Sequence, residues 1–136
     1  MFRRLVRGIP TQVKRYFWKG TRYTDTHESI TVMPDGNVRV GVTEYALDQM
    51  GELTYLEYHS GTHEPDESLA DLETTKATYD IKIPGKFTVE NGQQHTAVNL
   101  ATRESDRWIV EGKLHDDITN KTMSSEEYLK RLNHDS

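Results

Sequence analysis

Lys76 stands between Thr74-Thr75 and Ala77-Thr78, with Glu73 three residues before it and Asp80 four after it. A lysine among β-branched residues at the turn of a hairpin is held in solvent on a stiff support, where its amine can be acylated. From the residues alone, an ordinary exposed lysine on a turn is the stronger reading, because surface lysines are common. Other chemistry is thinner. His59, His63 and Glu64 fall close together, but Gly61 and Pro65 make the segment a loop. The spacing lacks a zinc pattern, so these are read as surface histidines and no metal site is expected. The chain has no cysteine, which removes disulfides, thiolate catalysis and cysteine-based zinc sites. It also lacks a Gly-x-Ser-x-Gly elbow and a phosphate-binding glycine loop. No catalytic residue is expected.

The elements that must position Lys76 are short strands separated by turn chemistry. Residues 30–32 and 38–40 alternate at period two around Pro34-Asp35-Gly36-Asn37, where proline pre-sets the turn and glycine supplies positive φ. Thr43 caps a short helix over Glu44–Met50, which Gly51 ends. Residues 53–58 are β-branched and aromatic enough for a strand. Strands over 68–74 and 78–83 flank Thr75-Lys76-Ala77. Pro84-Gly85 then leads to a strand over 86–89, Asn91-Gly92 marks the next turn, and 108–113 forms a further strand. Ser124 with Glu127 makes a capping box, opening a terminal helix with Tyr128, Leu129 and Leu132 on one face. The sum is a mainly β core with small peripheral helices, a flattened sandwich or barrel.

At 136 residues the chain suits one domain. Its mean hydropathy is −0.80, and no run approaches the roughly 18 apolar residues of a bilayer span. The net charge of −5 conceals an asymmetry. Residues 1–20 carry six of the 17 basic groups and no acidic one, which leaves 11 basic against 22 acidic residues in the remainder. An acidic body repels phosphate backbones, so nucleic acid is an unsuitable partner, whereas basic protein surfaces fit. Within residues 1–20, Phe2, Leu5, Val6, Ile9, Val13 and Phe17 fall at helical spacing with the basic groups mostly opposite. That is the pattern of a mitochondrial presequence, interrupted at Pro10 and lacking serine, with a cut expected near Arg15 or Tyr16. The domain proper is then 21–136, and the expected location is the mitochondrial matrix.

Glu73-Thr74-Thr75-Lys76-Ala77-Thr78-Tyr79-Asp80 resembles the lipoylation segment of the glycine cleavage system H protein family. Arg22-Tyr23-Thr24-Asp25-Thr26-His27-Glu28, Val40-Gly41-Val42-Thr43-Glu44-Tyr45-Ala46, Met50-Gly51-Glu52-Leu53, Pro84-Gly85 and Val98-Asn99 follow the family's order and spacing across about residues 21 to 132. The resemblance implies a barrel-sandwich hybrid fold of the lipoyl/biotinyl-carrier kind, with short peripheral helices and a C-terminal helix. It implies covalent lipoate on Lys76, with Glu73, Ala77 and Asp80 shaping the hairpin for a lipoylating enzyme. It implies a non-catalytic carrier of the aminomethyl group and electrons of glycine decarboxylation. The implied partners are the pyridoxal-phosphate glycine decarboxylase, the aminomethyltransferase and dihydrolipoamide dehydrogenase. Two stretches depart from the family pattern: Ser29 replaces the aromatic residue after His-Glu, and Arg103-Glu104-Ser105-Asp106-Arg107 precedes Trp108. That altered stretch motivates an alternative, a non-lipoylated H-like interaction subunit of a larger mitochondrial complex.

Overall fold

A computed structural model describes residues 18–135, so residues 1–17 of the expected presequence lie outside the described residues. The elements run β1 (Gly20–Tyr23), β2 (Glu28–Val32), β3 (Val38–Val42), α1 (Glu44–Met50), β4 (Leu53–Tyr58), β5 (Gly61–His63), β6 (Ala70–Thr74), β7 (Thr78–Ile81), β8 (Phe87–Gly92), α2 (His95–Leu100), β9 (Trp108–Leu114) and α3 (Ser125–Asp135). They form a six-stranded sheet in the order β1-β2-β3-β9-β8-β5 and a three-stranded sheet in the order β4-β6-β7. Every strand pair is antiparallel.

Period-two patterning explains the packing. Val38 and Val40 of β3, Ile30 of β2, Phe87 and Val89 of β8, and Val110 and Leu114 of β9 are buried from the larger sheet. Leu53, Ala70, Leu72 and Ile81 are buried from the smaller one, and all belong to one apolar cluster. Burying each large side chain contributes roughly 1.5–3 kcal/mol. This cluster fixes the smaller sheet, and with it the lysine hairpin, against the rest of the molecule.

Local chemistry sets the turns. The β2–β3 turn closes through Met33 N–H to Asn37 C=O (2.8 Å), with Gly36 at φ 90°. Thr43 Oγ1 accepts from Ala46 N–H at 3.1 Å and starts α1. Ser124 and Glu127 exchange backbone-to-side-chain bonds of 2.8 and 3.2 Å at the start of α3.

Three local expectations change. Asn91-Gly92 is not a turn but the end of β8, paired with Glu111 and Val110 across a bulge. Glycine is needed at 92 because the Tyr58 ring occupies the space a Cβ would take. On α3, Tyr128 is buried while Leu129 is exposed. Tyr128 stacks on Tyr23 at 4.6 Å and its hydroxyl bonds Thr43 Oγ1 at 2.9 Å and His27 Nδ1 at 2.8 Å, contacts that together set the helix's rotation. Strands β1 and β5 and helix α2 arise where the sequence suggested none. Among the described residues, no helix is long and apolar enough to cross a membrane.

Candidate functional site

β6 and β7 pair from Ala70↔Ile81 to Glu73↔Thr78, which leaves Thr75, Lys76 and Ala77 at the tip. The turn is closed largely by Thr74. Its N–H donates to Ala77 C=O at 2.9 Å. Its hydroxyl accepts from the N–H groups of Lys76 and Ala77, both at 3.1 Å, and donates to Ala77 C=O at 3.0 Å. A threonine side chain thus satisfies backbone groups that a tight turn would leave open.

The tip is also docked on the segment after α1. Thr75 N–H donates to Glu52 C=O at 3.0 Å, and Thr54 Oγ1 donates to Glu73 C=O at 3.1 Å. Gly51, at φ 82°, lies directly beneath: a Cβ there would strike Thr75 Oγ1 and come within 3.5 Å of Lys76 Cγ. The lysine stem therefore passes over α1's end, while the residue itself is exposed. Among the described residues, no carboxylate forms an ion pair with its ammonium. The geometry delivers a sterically open primary amine on a support braced from two sides.

Glu73, Ala77 and Asp80 are exposed too. Cross-strand pairs share a face, so Glu73 (paired with Tyr55 and Thr78) and Asp71 (paired with Glu57 and Asp80) carry four carboxylates onto the outer face of the small sheet. Directly opposed like charges such as Asp71 and Asp80 are mildly destabilising, and solvent keeps that cost small. Lys76 is the cation at the end of this acidic face, so acylating it leaves the face more negative.

The histidines are placed differently from the grouping weighed in the sequence. His63 Nε2 donates to His59 C=O at 2.8 Å, and Glu64 faces Lys86 at 3.9 Å. His59 instead joins Glu57 and Asp71, with ligand-type atoms within 4.8 Å of one another. His59 and Asp71 already hydrogen-bond at 3.1 Å in this half-exposed trio.

Sequence reading missed Glu28. It is the buried carboxylate among the described residues, accepting from Thr26 Oγ1 at 2.5 Å and from Thr24 Oγ1. Burial pushes its carboxyl above the ordinary glutamate range, while those hydrogen bonds pull it down. A strand-initial glutamate flanked by two threonines at −4 and −2 is the signal that could have found it.

The altered stretch before Trp108 is woven into the fold. Glu104 accepts from Tyr23 O–H at 2.7 Å, and burial together with this bond pushes the Tyr23 hydroxyl up. Arg107 is buried, donates to Thr102 C=O at 3.2 Å and lies 3.8 Å from Glu44. Its own carbonyl accepts from Val42 N–H. These bonds tie β1, β3 and the start of α1 together.

A family model described as Glycine cleavage H-protein matches residues 21–135. The mitochondrial glycine cleavage system H protein of Saccharomyces cerevisiae is 35% identical over 127 residues, covering 86% of this chain and 75% of that protein. A probable mitochondrial glycine cleavage system H protein of Dictyostelium discoideum is 34% identical, covering 68% of each chain. The crystal structure of a glycine cleavage system H protein from Mycobacterium marinum superposes with a TM-score of 0.69 at 25% identity, covering 85% of this chain and 98% of that one. The two-sheet architecture with its C-terminal helix is the lipoyl-carrier hybrid fold.

Proposed function

Because this chain belongs to the glycine cleavage H-protein family, a family of non-catalytic carriers, we propose that Lys76 is its lipoyl attachment point and that the chain shuttles the aminomethyl group and electrons of glycine decarboxylation. The observation that carries this reading is the exposed Lys76 at a hairpin tip closed by Thr74 and docked on Glu52. Amide-linked lipoate removes the lysine charge and supplies a dithiolane competent in sulfur exchange. The protein's part is mechanical and electrostatic. Thr74 and the Glu52 carbonyl hold the tip, Gly51 leaves room for the lysine stem, and Glu73, Ala77 and Asp80 form the local surface a lipoylating enzyme meets.

The partners in this reading are the pyridoxal-phosphate glycine decarboxylase, the aminomethyltransferase and dihydrolipoamide dehydrogenase. The acidic outer face of the small sheet supports docking on basic surfaces of such partners. We place the protein in the mitochondrial matrix, with residues 1–20 as a presequence. The acid-free basic composition of that segment supports this, as do the mitochondrial relatives of yeast and Dictyostelium. Incubation of the purified chain with a lipoate–protein ligase, followed by peptide mapping, tests the attachment. A single lipoyl group on the peptide containing Lys76 is expected; modification elsewhere, or none, overturns the reading.

A further inference from the structure

We infer that Asn99 positions the lysine hairpin, acting on it through one peptide unit, the bond between Glu52 and Leu53. Its consequence for acylation rests on the carrier reading of Lys76; the coupling itself stands on hydrogen bonds.

Asn99 lies near the end of α2, far from Lys76 in sequence. Its Oδ1 accepts from Leu53 N–H at 3.1 Å, and its Nδ2 donates to Leu53 C=O at 2.7 Å. One side-chain amide thereby occupies both polar groups of Leu53, as a neighbouring strand would. β4 pairs only with β6, so Asn99 stands at the sheet's open edge. The N–H of Leu53 and the C=O of Glu52 belong to the same planar trans peptide and point in opposite directions. On the far side, that C=O receives the N–H of Thr75, the residue before the lysine, at 3.0 Å. The line Asn99 Oδ1, peptide 52–53, Thr75 N–H is therefore continuous, and bonds in such a line polarise one another.

The independent anchor behind this line is Val98, fully buried one residue before Asn99. α2 has six residues and no side-chain N-cap bond, too little to form a stable helix by itself. It is held by the fully buried Val98 and by the two bonds from Asn99. Because α2 follows β8 of the larger sheet, Asn99 refers the hairpin tip to the main body and not only to its own strands. Without Asn99 the 52–53 peptide loses its restraint on the α2 side, Thr75 has a less fixed acceptor, and the tip spreads over more conformations. An enzyme that needs one conformation then binds more weakly in proportion to the population lost.

Asn99→Leu keeps the side chain's shape and deletes both hydrogen bonds; if it fails to fold, Asn99→Ala is measured in its place. Native-state amide exchange is followed at Thr75, with Val40 and Val110 of the central strands as references. Modification by lipoate–protein ligase is followed as separate KM and kcat. The expected result is exchange at Thr75 faster by roughly tenfold, about one hydrogen bond's worth, with the two references unchanged. KM should rise several-fold with kcat nearly constant. Unchanged Thr75 exchange, equal acceleration at all three amides, or an unaltered KM would overturn the inference. A wild-type chain that the ligase never modifies counts against the carrier reading instead, and the exchange data then decide the coupling by themselves.

Discussion

Gly51→Ala would combine backbone strain with a steric collision beneath the lysine hairpin. Gly51 has φ 82° and ψ −169°, a region that residues with a Cβ essentially never occupy and that costs them roughly 1–3 kcal/mol. The added methyl would also meet Thr75 Oγ1, which must leave its rotamer to make room while Thr75 N–H stays bound to Glu52 C=O. Strain and collision together should destabilise the fold by about 2–4 kcal/mol, with the steric part supplying roughly a quarter to a half. For a domain of this size that lowers Tm by about 10 °C. Urea unfolding of wild type, Gly51→Ala, Thr75→Ala and the double variant separates the two contributions. Thr75→Ala removes the colliding oxygen, so Gly51→Ala should cost about 1 kcal/mol less in that background. The backbone part should remain. A Gly51→Ala variant within about 0.5 kcal/mol of wild type, or perfect additivity with Thr75→Ala, would refute the picture of a hairpin seated on Gly51.

Three further predictions follow from single side chains. Lys76→Arg should abolish lipoylation in the ligase assay while shifting Tm by no more than about 1–2 °C, as expected of an exposed site; a large fall would show that the lysine is structural. Glu28 has a carboxyl raised by burial, so the folded state keeps its proton to higher pH than the unfolded state, and its contribution to stability falls as pH rises from the ordinary glutamate range through the raised value. Glu28→Gln should therefore gain on wild type in urea midpoint at about pH 7.5, and the gain should shrink toward about pH 4; a difference independent of pH would count against it. Ser124→Ala removes the cap that receives Glu127 N–H and should cost about 1 kcal/mol, read by thermal melting, with the Tyr23–Tyr128 stack loosening as α3 frays.

Features written in local chemistry were legible in the sequence. The Pro34–Asn37 turn, the Thr43 and Ser124 caps, and the lysine hairpin each depend on residues within four positions of one another. What escaped depends on partners distant in the chain. α2 has weak local signals and exists because Val98 is buried and Asn99 grips Leu53, 46 residues away. Asn91-Gly92 carries turn chemistry but is strand, since its glycine makes room for Tyr58. Leu129 and Tyr128 fit the same helical stripe, and the distant partners Tyr23, His27 and Thr43 decide which of them is buried. At the site, the sequence marked the lysine and its flanking carboxylates. The support beneath it, from Glu52 through Leu53 to Asn99, required the tertiary structure.

Intact-mass measurement of the protein isolated from its native source reads the state of Lys76 without any added enzyme. A single added lipoyl group that maps to Lys76 is expected. A consistently unmodified chain would contradict it and would favour an interaction subunit that keeps the fold without the carrier chemistry.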